Sequence, residues 1–158
     1  MQYSEGTIGR IFVLRLEHDE SLPNAIETFA LEKDIKSGMC ILIGGVNDGS
    51  KIVVGPRDGE QLPPIPMNYI LNGVHEVLGV GTLFQDEEGI PKLHMHASLG
   101  REGKTSSGCI RPGISIWHVG EVIIFEMITQ HILRKNDEKT GFSLLEIVKK
   151  EIKSVKKK

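Results

Sequence analysis

The residues best suited to chemistry are Leu93-His94-Met95-His96, with Cys109 further along the chain. In a strand, residues i and i+2 point to the same face, so His94 and His96 project side by side, about 7 Å apart at Cβ. If the chain turns about Glu102-Gly103, His96 pairs directly with Cys109, and directly opposed residues share a face. Two neutral imidazoles and one thiolate suit zinc, whose bonds are about 2.0 Å to nitrogen and 2.3 Å to sulfur. Three protein ligands would leave one position open. The plainer reading is that both histidines are polar residues of a sheet face and that Cys109 is packing.

Other motifs carry less. Gly103-Lys104-Thr105 looks like the end of a phosphate-binding loop, but that pattern needs a glycine where Ser98 stands and a helix to follow. There is no G-x-S-x-G and no Cys-x-x-Cys, and Gly44-Gly45 lacks the glycine spacing of a dinucleotide fingerprint. His18, His75, His118 and His131 stand alone and read as surface or satisfied core residues. Cys40, inside an apolar run, reads as core.

Composition bounds the setting of these residues. A chain of 158 residues with 39% hydrophobic and 25% charged residues fits one domain that builds a core without disulfides or metal clips. Its 18 glycines suggest many turns between short strands. The start of the chain lacks the pattern of a secretory leader and no apolar run reaches membrane-spanning length, so the expected location is cytoplasmic, with both thiols reduced. The formal net charge of −2 argues against a surface that is wholly a nucleic-acid footprint. Charge is nevertheless unevenly spread: residues 149–158 carry six lysines and one glutamate. Such a tail is ordinarily the solvated face of a terminal helix; the alternative is salt-sensitive, sequence-blind contact with phosphates.

Alternation and turn residues predict the elements around these ligands. Residues 7–17 alternate as a strand. Ser21 can cap a helix with Pro23 in its first turn, Ile26, Phe29 and Ala30 along one stripe, and Gly38 at its end. Residues 39–46 and 51–54 read as a hairpin about Asn47-Asp48-Gly49, and the proline-rich residues 55–67 as an exposed loop. A meander is expected from there: residues 74–84, 93–99, and strands from about 108 to 127. Leu145, Val148, Ile152 and Val155 recur at helical spacing. The expected fold class is α/β of the α+β type, a mostly antiparallel sheet with one packed helix and a C-terminal amphipathic helix. The domain is expected over residues 7–145, with helix and lysine tail over 146–158.

Six pieces in order resemble a known family: Gly9-Arg10-x-Phe12-Val13-Leu14-Arg15-Leu16, Ile43-Gly44-Gly45-Val46, Gly73-Val74-His75-Glu76-Val77-Leu78, His94-Met95-His96-Ala97-Ser98-Leu99, Gly108-Cys109 and Gly120-Glu121-Val122-Ile123. Together they resemble the plants-and-prokaryotes-conserved (PPC) domain. The resemblance implies an antiparallel-rich sheet with packed helices, assembly as a homotrimer, and zinc held by His-x-His and a following Gly-Gly-His. His94 and His96 match, while Ser107-Gly108-Cys109 stands where Gly-Gly-His would be. Prokaryotic relatives are often labelled DNA-binding, yet the AT-hook core of the plant proteins is reduced here to Arg111-Pro112. Three functions follow as expectations. The first is a trimer holding a divalent metal, zinc, at His94, His96 and Cys109. The second is non-specific DNA binding through lysine tails. The third is a zinc-dependent hydrolase with Glu76 or Glu121 as general base.

Overall fold

The computed structural model describes residues 1–129 and 132–147. Eleven strands and one helix are formed among them: β1 (Thr7–Leu16), β2 (Ser21–Leu22), α1 (Asn24–Glu32), β3 (Ser37–Val46), β4 (Lys51–Pro56), β5 (Pro66–Ile70), β6 (His75–Gln85), β7 (Pro91–Arg101), β8 (Lys104–Cys109), β9 (Ile114–Ile128), β10 (Ile132–Asn136) and β11 (Ser143–Ile147). The main sheet runs β1-β9-β3-β6-β7-β8-β4-β5, with β2 pairing β9 beside it. Its ladders are antiparallel throughout. The mostly antiparallel α+β expectation therefore stands, and β6, β7 and β8 form a meander, whereas β9, expected to continue it, pairs instead with β1 and β3.

Alternation decides which face is core. On β7, Leu93, Met95, Ala97 and Leu99 point inward and are buried, whereas His94, His96 and Ser98 are exposed. The inward set joins Leu42, Val122 and Ile124 of the neighbouring strands and Ile26 and Ala30 of α1 in one cluster, so the helix covers the face away from the histidines. Close approach needs glycine on β6: a Cβ on Gly81 would meet the Met95 side chain at 2.7 Å and the His94 carbonyl oxygen at 2.9 Å. That side-chain-free patch lets Met95 lie flat against β6 and anchors the strand carrying both histidines.

Four further expectations need correction. The hairpin of residues 39–46 with 51–54 does not form. The apolar β3 is claimed on both sides, by β6 and β9, and β4 pairs instead with β5 and β8. The turn at 47–49 bonds elsewhere, Asn47 N donating to Ser115 O (2.8 Å) and Gly49 N to Leu71 O (3.0 Å). Residues 55–67 are not wholly loop: Pro56 and Pro66 face each other in the β4–β5 pair. Because β5 ends the sheet order, a missing N–H is tolerated there.

The helix is shorter than Ser21 to Gly38. Ser21 pairs with Ser115 in β2, Pro23 is the N-cap with no side-chain cap bond, and Glu32 is the last helical residue. Asp34 adopts φ 51° and Ile35 N closes back on Ala30 O at 2.8 Å, which frees Gly38 to enter β3. Finally, the C-terminal helix is not supported. Leu145 lies in β11 opposite Arg134 of β10, turned by Asp137 N donating to Phe142 O (2.9 Å) and Gly141 N to Asp137 O (2.7 Å). Val148, Ile152, Val155 and the lysine tail lie outside the described residues.

Candidate metal centre

The turn at Glu102 and Gly103 takes positive φ at both positions, 53° and 73°, which matches the twist of a two-residue hairpin. The register that follows sets His96 opposite Cys109, Ala97 opposite Gly108 and Ser98 opposite Ser107. Beyond Cys109 the chain stays tied to β7, Ile110 N donating to Met95 O at 3.1 Å, while Val53 of β4 flanks Cys109 on the other side. Gly108 makes that flank possible, since a Cβ there would run into the Val53 carbonyl.

Three donor atoms of His94, His96 and Cys109 consequently lie within 4.8 Å of one another. The Nε2 atoms of the two histidines are 3.2 Å apart, with their rings at 79°. Two nitrogens bound to one tetrahedral zinc at about 2.0 Å stand roughly 3.3 Å apart, so the imidazoles already hold the edge that such an ion requires. Cys109 is buried at 6% exposure, which places the sulfur at the floor and the imidazoles at the rim. The donor set fits a borderline-soft divalent ion. Burial holds His94 below the usual imidazole range, and Arg134, His96 and Arg111 push the same way, favouring the neutral form a metal needs.

The other sequence-read residues fall away from this point. His75 is buried, its Nδ1 2.9 Å from Gly73 O. His18 and His118 stack at 4.9 Å at the surface. His131 lies outside the described residues. Cys40 is a core thiol that burial pushes up to about 12, and both cysteines are free. Lys104 and Thr105 belong to β8, so no helix follows Gly103. Glu76 sits four residues along β6 from Val80, the residue facing His96, which is about 13 Å at strand rise. Glu121 lies on β9, with β3 and β6 between it and β7. Neither carboxylate flanks the ligands.

Sequence reasoning missed the residues that roof the site. Thr82 is the β6 partner of His94, and Arg134 of β10 donates through an Nη atom to its Oγ1 at 3.0 Å. The Arg134 guanidinium stands over the Phe84 ring at 5.9 Å. Arg111, two residues past Cys109, stacks on Phe142 at 5.8 Å. On the other flank an open groove of about 500 Å³ runs past Val53, Leu78, Val80, His96, Ser98 and Ser107, with the two serine hydroxyls 3.0 Å apart.

Fold and site together define an antiparallel-sheet domain with a three-donor cluster on its uncovered face. The Plants and Prokaryotes Conserved (PCC) domain matches residues 3–128, and the chain belongs to that family, the one abbreviated PPC above. Solved structures share the fold. A metal-containing protein from Archaeoglobus fulgidus is 25% identical, with 91% of this chain and 98% of that one covered at TM-score 0.77. A plant- and prokaryote-conserved protein from Pyrococcus horikoshii is 24% identical, with 94% and 99% covered at TM-score 0.79. A candidate DNA-binding protein from Bacteroides thetaiotaomicron is 16% identical, with 92% and 99% covered at TM-score 0.71. Among curated proteins, the bifunctional protein GlmU of Synechococcus sp. (strain JA-3-3Ab) is 25% identical over 142 residues, and the chain spans only 21% of its length. Among the described residues no helix is long and apolar enough to cross a membrane.

Proposed function

We propose that this PPC-domain protein binds a divalent metal, zinc, through His94, His96 and Cys109. The observation that carries the reading is the convergence of three donor atoms within 4.8 Å from two strands whose register leaves them no other face. The metal-containing relative supports it. Zinc would supply Lewis acidity at a fourth, open position, while burial and the neighbouring arginines favour the neutral form of His94 and the fold shields the Cys109 sulfur. A thiolate ligand suits a reducing compartment, which supports a cytoplasmic location as part of this reading.

The assembly we propose is the homotrimer, and the sheet supports it. The face opposite α1 exposes Val13 (77%), Leu78 (58%), Val80 (53%), Ile43 (46%) and Ile123 (36%). Val13, Ile123, Ile41 and Val80 follow one another across four adjoining strands in one row that ends at His96 and Cys109. A contiguous apolar row of that kind marks an association surface.

Metal analysis of protein purified without a histidine tag decides the central claim. Near-stoichiometric zinc is expected in the parent chain and none in the His94→Ala/His96→Ala variant; equal zinc in both would overturn it. A second reading, DNA contact through the lysine tail, is favoured by the charge concentrated in residues 149–158 and by the Bacteroides relative. Removing the chain from Lys149 onward is then expected to lower salt-sensitive retention on DNA, and unchanged retention would dispose of it.

A further inference from the structure

Arg134 is only 6% exposed. Its Nη atoms donate to Thr82 Oγ1 (3.0 Å) and Ser143 O (3.3 Å), and its buried Nε has no partner among the described residues. No carboxylate among those residues forms an ion pair with Arg134 or Arg111. Two groups oppose the Arg134 charge through space, Cys109 and then Glu27, but the Cys109 sulfur is a proposed metal ligand and Glu27 is already committed to Leu93 N at 2.8 Å. Burying a guanidinium without an anion is costly. The fold nevertheless brings a second one alongside. Phe142, under Arg111, and Ser143, on Arg134, are consecutive residues of the β10–β11 hairpin. The two arginines therefore meet the same short stretch of chain, close enough for each to repel the other's charge.

That stretch lies beside the metal ligands. Thr82, which carries the Arg134 bond, is the cross-strand partner of His94, and the Arg134 charge acts on that imidazole. Arg111 follows the Cys109 ligand by two residues. A divalent ion, one thiolate and two guanidinium groups leave the site with a net charge of about +3. Planar guanidinium forks match oxyanions bidentately.

We propose that Arg134 and Arg111 form a binding site for a small oxyanion, a phosphate or carboxylate group, that takes the open position of the metal. The inference rests on the metal reading for the anion's inner contact and on the arginines for its outer ones. The two can be separated. The full chain, without a tag and loaded with cobalt(II), is titrated with inorganic phosphate and, separately, with acetate, following the cobalt visible bands. A saturable band shift is expected with one or both anions, the tighter one identifying the oxyanion class. Arg111→Gln, on an exposed side chain, is expected to keep the cobalt–thiolate absorption and to weaken anion binding at least tenfold. Arg134→Lys, which keeps the charge but loses the fork, is expected to weaken it as well. Equal affinity in the parent and both variants, or no shift with either anion up to millimolar concentration, would overturn the proposal. If the chain takes up no cobalt, the metal reading fails. Calorimetric titration of the metal-free chain with phosphate then decides the arginine site: heat lost in Arg111→Gln supports it, and no heat in the parent overturns it.

Discussion

Cys109 lies directly opposite His96 across the β7–β8 pair, and the same cysteine faces Val53 of β4. One residue thus ties the candidate metal centre to β4, the strand next to the edge of the sheet. The pairing follows from a single tight turn, so the whole ligand geometry depends on the register of one hairpin. A slip of one residue would turn Cys109 to the other face.

Cys109→Ser is expected to separate ligand loss from collapse of the fold. The hydroxyl keeps nearly the same volume but is a poor zinc ligand. Metal affinity is expected to fall by more than the roughly 10–100-fold that follows loss of an outer-shell partner. In the cobalt form, the near-ultraviolet thiolate absorption is expected to vanish while weaker visible bands persist. An unchanged thiolate absorption would assign the sulfur to another residue.

Gly108→Ala tests the approach of β4. The added Cβ would collide with the Val53 carbonyl, a backbone group that cannot rotate away. Overpacking of this kind costs about 1–3 kcal/mol, read as a lower melting temperature, and the displaced strand is expected to weaken metal binding too. A variant as stable as the parent and binding zinc equally well would show that β4 does not brace the cysteine.

How much of this was legible in the sequence depends on how local the cause is. The His96–Cys109 register could be read because Glu102 and Gly103 dictate the turn and both strands are adjacent in the chain. The inward row Leu93, Met95, Ala97 and Leu99 follows from alternation alone. The β3–β4 hairpin was misread because a turn signal at Asn47-Asp48-Gly49 says that the chain bends, not which strand takes the next bonds; β9, more than sixty residues later, claims β3. Arg134 was invisible for the same reason. Its partners Thr82 and Phe84 lie about fifty residues away, and Leu145 fits a helical stripe as readily as the strand it occupies.

Glu126 gives the fold a dependence on acid. Its carboxylate is buried at 7% exposure and accepts bonds from Arg10 N (3.0 Å), Nε (2.7 Å) and Nη2 (2.6 Å), so Arg10 holds it below the usual carboxylate range. A group depressed in the folded state stabilises fully above its unfolded value, about 4.3. That contribution is lost as pH falls through the lower folded value. Glu126→Gln is expected to lower the melting temperature at pH 7 and to flatten its fall below about pH 4.3 relative to the parent. Parallel curves for the two proteins would mean that the Arg10 contact does not govern this range.

The apolar face opposite α1 is the surface through which a trimer would assemble. Leu78 and Ile123 are 58% and 36% exposed and belong to the face that carries His96, yet neither is a ligand. A charge placed there leaves the core side of the sheet intact, because alternation sends their neighbours Val77 and Val122 inward, both buried. It would be stranded in any interface that covers the face, where an unpaired buried charge is strongly unfavourable. Leu78→Glu and Ile123→Glu are therefore expected to convert a trimer to monomers by sedimentation equilibrium while far-ultraviolet circular dichroism stays unchanged. Trimers persisting in both variants would move the interface to another surface, and a monomeric parent would remove the trimer altogether without touching the metal ligands.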